Sequence, residues 1–236
     1  MHAEAGRYAA PMVETRRIAR SAAPLAMAVL LAACVPQQPA APAPGAPPAP
    51  AAEAALALPP QLVGKAVVVA DGDPDAARAD LPGAVKPPGQ GALTRGLVVR
   101  LVADVPVWRL WSGPAKKDAN GRTNRMGQWW AYDAPRGTQQ GYRSAYEVCD
   151  AWNDLTFVAR CTLKKGAVVA IGPGNSVAPA TCGDATGKES YAENPRDWQV
   201  WISKVWTRGA EIECPDEATD YEADPADISR PRRQGR

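Results

Sequence analysis

Apolar residues in this 236-residue chain follow three different spacings. From residue 97 they alternate. "GLVVRLVADVPVWRLWSG" predicts two strands broken near Pro106, and "GQWWAYDAP" a short aromatic strand. In "LTFVARCTLKKGAVVAIGPG", Leu155, Phe157, Ala159 and Cys161 share one face, and Lys165-Gly166 supplies the turn of a hairpin. "WQVWISKVW" reads as a further strand, with "GAEIEC" expected beside it. One stretch departs from period two. In "QQGYRSAYEVCDAW", Tyr142, Ala145, Tyr146 and Cys149 recur at three- and four-residue steps, which predicts a helix. The fold class expected for 97–214 is therefore α+β: a small β-rich domain with one clear helix. Residues 61–96 offer one strand, "KAVVVAD", in a loop-rich lead-in. Residues 215–236 are acidic, then basic and poor in apolar residues, which predicts a disordered tail.

The second spacing belongs to residues 35–60, where proline and alanine dominate and no core can form; with residue 34 they read as a linker, extended at about 3.1 Å per residue where it is polyproline II. The third is a single apolar run, Ala22 to Ala33, behind Arg16, Arg17 and Arg20. It is too short for the roughly 20 residues of a membrane-spanning helix and has the form of an export signal over residues 1–33, with Met12 the natural start. Its end, Leu31-Ala32-Ala33-Cys34, resembles the lipobox of bacterial lipoproteins. That resemblance implies transfer of a diacylglyceryl group to the Cys34 thiol, cleavage before Cys34 and acylation of the new amino end, so that several palmitate-type chains together anchor the protein in a membrane. With Val35 rather than Asp after the cysteine, it implies the outer membrane.

Charge then narrows the function. The chain has 27 basic and 25 acidic residues, and removing residues 1–33 leaves 23 of each. A net charge of zero gives no long-range attraction to nucleic acid. His2, the only histidine, leaves with the signal, which excludes Ser-His-Asp and Cys-His mechanisms and removes the commonest metal ligand. Cys149, Cys161, Cys182 and Cys214 remain, an even number in an exported chain, so two disulfides are expected. Of the three pairings, the sequence-local one, Cys149–Cys161 with Cys182–Cys214, is favoured. No C-x-x-C spacing marks a metal or redox site.

Several short motifs resolve to loops. Asp71, Asp73 and Asp75 imitate the start of a calcium loop, but Ala76 and Pro82 stand where Gly and Glu are required. "GPGNS" and "GDATGKES" fall short of phosphate-binding loops and read as turns. Asp133, Glu147, Asp150 and Asp154 could supply a glycosidase pair only if two flanked one groove; surface acids are the simpler expectation. The eight tryptophans against one phenylalanine stand apart. Neighbours on a strand face opposite ways, so Trp129 and Trp130 cannot share a side, while Gln199 and Trp201 must. Some of these rings belong to a core; others suit a stacking platform for glycan rings or a flat cofactor.

The order of elements around "VWRLWSGP", "GQWWAYDAP", the helix and "WQVWI" is similar to the ADP-ribosyltransferase-like fold, over about residues 105–203. That resemblance implies a nicotinamide dinucleotide (NAD) cleft opened by Arg109. It departs from the family in "WWAYD", which lacks a Ser-Thr-Ser element, and in Gln199, which stands where a catalytic glutamate is expected. A glutamine still hydrogen-bonds a ribose but brings no charge to an oxocarbenium-like transition state. The expectation is thus a membrane-tethered envelope lipoprotein with a binding domain, its ligand face drawn from Arg109, Trp129, Trp130, Tyr132 and Gln199, and an envelope protein or glycan as partner. A degenerate NAD-using transferase is the alternative.

Overall fold

A computed structural model of the chain describes residues 56–233. The expected signal, Met12, Cys34 and most of the Pro/Ala segment lie outside them. Ten antiparallel strands carry the fold: β1 (Ala66–Val68), β2 (Leu97–Leu101), β3 (Val105–Trp111), β4 (Trp129–Ala131), β5 (Phe157–Leu163), β6 (Val168–Gly174), β7 (Asn194–Trp201), β8 (Ile212–Glu213), β9 (Tyr221–Asp224) and β10 (Asp227–Pro231). The helices are short: α1 (Ala76–Ala79), α2 (Leu81–Ala84), α3 (Gln139–Tyr146) and α4 (Pro179–Cys182). The sheet runs β1-β2-β6-β7-β4-β3-β5-β9-β10, with β8 also on β5.

That order forces curvature. Three residues join β2 to β3, yet β6, β7 and β4 lie between them in the sheet. Four strand spacings are about 19 Å, whereas four residues reach about 14 Å at full extension. The sheet must roll so that its two halves face each other. The connection from β5 to β6 obeys the same limit, so the expected hairpin over 155–172 does not form. β5 pairs with β3 and β6 with β2, and the turn at Lys165-Gly166 crosses between the halves. The main core lies inside this roll, where Val99 and Leu101 of β2 meet Val107 of β3, Trp130 of β4 and Ile171 of β6.

The sheet extends past both ends of the expected domain. Leu58 packs on the main core, and β1 pairs with β2. The tail expected to be disordered instead forms β9 and β10. β9 pairs with β5, and Ala223 and Ile228 are buried with Leu110 and Val158. Two apolar residues suffice because a preformed edge, β5, offers its backbone partners. β8 likewise pairs with β5 rather than lying beside β7. Pro106 does not break β3; the break falls ahead of it, at residues 102–104, and β4 pairs with β3 only at Trp108. "GPGNS" likewise begins inside β6 rather than in a turn.

Two disulfides are present among the described residues, but not the sequence-local pair. Cys149 joins Cys182, and Cys161 joins Cys214. Cys161 faces the main core, while Cys149 is buried in a separate cluster with Val177 and Tyr191, so those two cannot meet. The β5–β8 register, Thr162 opposite Glu213, brings Cys161 beside Cys214. Glu189 lies beside the Cys149–Cys182 pair, but disulfide sulfurs offer no thiolate to a metal. Asp73 and Asp75 do not form a cation loop either; both hold the guanidinium of Arg100.

Candidate functional site

Where β3 and β4 part, the guanidinium of Arg109 fills the gap. Its Nε donates to the Asn124 carbonyl at 3.0 Å and its Nη1 to the Trp129 carbonyl at 2.6 Å. Nη2 is left for another acceptor. Burial pushes this guanidinium down to about 10, still charged at neutral pH. The chain crosses it at Gly127, where a Cβ would lie 2.2 Å from Nη2. Gly127→Ala is therefore expected to displace the guanidinium from one of its carbonyls and cost about 1–3 kcal/mol, read as a lowered urea midpoint.

α3 approaches from the other side. Thr138 caps it, its Oγ1 accepting from the Gly141 N–H at 3.0 Å, and Tyr142 and Tyr146 stack with centroids 4.4 Å apart. The helix stops at Glu147, whose φ of 50° is left-handed. Glycine or asparagine is the usual residue at such a stop, and another L-residue costs roughly 1–2 kcal/mol there. Glu147 is also only 2 % exposed. Its Oε2 accepts from Gln199 Nε2 at 2.8 Å, and its Oε1 has no hydrogen-bond partner. Burial pushes its carboxyl up to about 9, against the Gln199 hydrogen bond that favours the charged form; Asp197 adds to the rise and the Asn194 N–H opposes it. Glu147 is thus uncharged at neutral pH, not the surface acid its sequence position suggested. It fits only because Gly174 on β6 lacks a side chain: a Cβ there would meet Oε2 at 1.9 Å.

Gln199, on β7, also donates to the Tyr146 carbonyl at 3.2 Å, so both its amide hydrogens face α3 and its Oε1 is free. Arg109, Glu147 and Gln199 line one cavity of about 430 Å³. Trp129, Trp201 and Trp152 form its apolar wall, and Lys86 and Gln90 its rim. Trp129 and Trp201 lie 4.6 Å apart with their planes inclined at 50°. Trp152 is 44 % exposed and packs beside Gly91, where a Cβ would stand 3.2 Å from the ring.

No family model, no curated protein and no solved structure matches this chain.

Three of the five residues expected to form a ligand face therefore meet in one cavity: Arg109, Trp129 and Gln199. Trp130 and Tyr132 do not line it. They lie on the other face of the sheet, 3 % and 6 % exposed, in the main core. The alternation that separates Trp129 from Trp130 and unites Gln199 with Trp201 holds. Sequence reasoning missed Lys86 and Gln90, which sit in the supposed lead-in, and misjudged Glu147. One signal pointed to Glu147: an acid at the stop of the only clear helix, between apolar Tyr146 and the Val148-Cys149 pair. The other three acids stay outside the cavity. Asp150 pairs with Arg143, Asp154 with Lys116, and Asp133 accepts from Gln61.

Proposed function

We propose that this protein is a membrane-tethered envelope lipoprotein whose domain binds a small ring-bearing ligand without turning it over. The tether rests on the signal and lipobox at 12–34, which imply an anchor in the outer membrane; the two disulfides are in keeping with an oxidising compartment. The observation that carries the binding reading is the convergence of Arg109, Gln199 and a tryptophan wall on one cavity of a size suited to small molecules. Among the lining residues Glu147 is the only carboxyl, and it holds its proton. Paired acid and base groups are absent from this lining, which favours binding over hydrolysis.

One observation favours the transferase alternative: Arg109 and Gln199 share the cavity, and the Glu147 carboxyl lies 2.8 Å from the Gln199 amide. A nicotinamide dinucleotide would find a free Nη2 on Arg109 and a free Oε1 on Gln199. Against it, Arg109 commits two donors to backbone, and the nearest carboxyl is neutral. Two measurements separate the readings. Calorimetric titration with NAD should show no nicotinamide release over hours; release at enzyme-like rates would replace the binding reading by the transferase one. Mass spectrometry of the native product should find an acylated Cys34 at the amino end, and Cys34→Ser should move the protein out of the membrane fraction. An unprocessed amino end would remove the tether.

A further inference from the structure

Resting on the reading of the cavity as a binding site, we propose that its ligand is a carboxylated sugar, a monosaccharide acid or a terminal acidic sugar of a glycan. Three features of the cavity select this class. The first is the shape of the apolar wall. A planar heteroaromatic ring is held best between parallel faces, but Trp129 and Trp201 are inclined at 50° and leave no parallel slot. Trp152, half exposed, meets Gly91 along the Cη2–Cζ3 edge of its ring, so much of its ring surface stays open. A sugar needs one such surface for its apolar C–H face. The second is the polar inventory. Gln199 Oε1 accepts nothing within the protein, so it asks for a donor such as a hydroxyl, while Arg109 Nη2 asks for an acceptor. The third is charge. Lys86 at the rim and Arg109 at the floor are both cationic, and no charged carboxylate lines the cavity, Glu147 being neutral. A hydroxylated ring with one carboxylate satisfies all three at once; a neutral sugar leaves the cations unanswered, and an aromatic acid leaves Gln199 Oε1 unanswered.

The test is calorimetric titration of the full chain in detergent with three sugar acids (glucuronate, galacturonate and N-acetylmuramate), their neutral counterparts (glucose, galactose and N-acetylglucosamine) and benzoate. At least one sugar acid should bind ten times or more tighter than its neutral counterpart and than benzoate. Lys86→Ala should weaken that acid about fivefold and leave the neutral sugar unchanged, and Trp152→Ala should weaken both about fivefold. Both variants lie at the exposed rim, so an unchanged melting temperature confirms that the fold is intact. Neutral sugars binding as well as acids would overturn the carboxylate while leaving the cavity a binding site. Benzoate binding tightest would overturn the sugar on the same terms. No binding by any probe, with neither variant having an effect, would overturn both this inference and the reading it rests on.

Discussion

Replacing Cys161 and Cys214 together with serine should lower the unfolding free energy by about 4 kcal/mol. The cross-link closes 53 residues of chain, and the entropy of closing a loop of that length in the unfolded state sets the figure. The same estimate gives slightly less for Cys149–Cys182, which closes 33. The two bonds act on different parts of the fold. Cys161–Cys214 ties β5 to the chain leaving β8, at the start of the segment that forms β9 and β10. Cys149–Cys182 ties the end of α3 to α4 beside the cavity wall. The double serine variant at 161 and 214 should therefore expose the C-terminal strands to protease, while the one at 149 and 182 should loosen the chain around Glu147 and Trp152. Urea titration with limited proteolysis measures both. Peptide mapping of the native protein under non-reducing conditions should recover Cys149 with Cys182 and Cys161 with Cys214; the sequence-local pairing would contradict the fold.

The second large effect is a loss of stability as pH rises. Glu147 has an ordinary carboxyl value near 4.5 when the chain is unfolded and about 9 when it is folded. Below the lower value both states hold the proton and nothing changes. Between the two, the unfolded chain has released a proton that the folded one keeps, so stability falls as pH rises, by about 1.4 kcal/mol per pH unit at most. The decline ends once the folded form also ionises, above pH 9. Glu147→Gln keeps the shape and a polar contact with Gln199 but cannot ionise. It should match the native protein near pH 4 and exceed it by several kcal/mol near pH 8, measured by denaturant unfolding across that range. Equal slopes for the two proteins would mean that Glu147 is ionised in the folded state.

The sequence made the elements legible where local signals agree. The three- and four-residue period in 139–150 marks α3, and the alternation of valines and tryptophans marks β2 to β7. It also separated Trp129 from Trp130 and joined Gln199 to Trp201, because a two-residue period leaves no other choice. What it could not reveal is which strand pairs with which. The tight connection at Lys165-Gly166 looks like a hairpin turn, since composition alone does not say whether its flanking strands meet or cross between halves of a rolled sheet. The cysteine pairing differs for the same reason: proximity along the chain is not proximity in space. β9 and β10 have too little apolar surface to be recognised alone and form because β5 has an open edge. Glu147 reads as a surface acid in the sequence because its burial depends on Gly174, 27 positions away in the chain.

The most direct test of the cavity is fluorine NMR of the protein labelled with 5-fluorotryptophan, each of the eight signals assigned by single substitution. Adding the sugar acid that binds tightest should shift the signals of Trp129, Trp152 and Trp201 and leave Trp130, Trp111 and Trp206 where they were. Trp130 and Trp111 are packed in the interior, and Trp206 is exposed on a different surface, beside Arg122 and Met126. A shift confined to Trp206, or no shift at saturating concentrations of the sugar acids and of NAD alike, would contradict the assignment of this cavity as the site of binding.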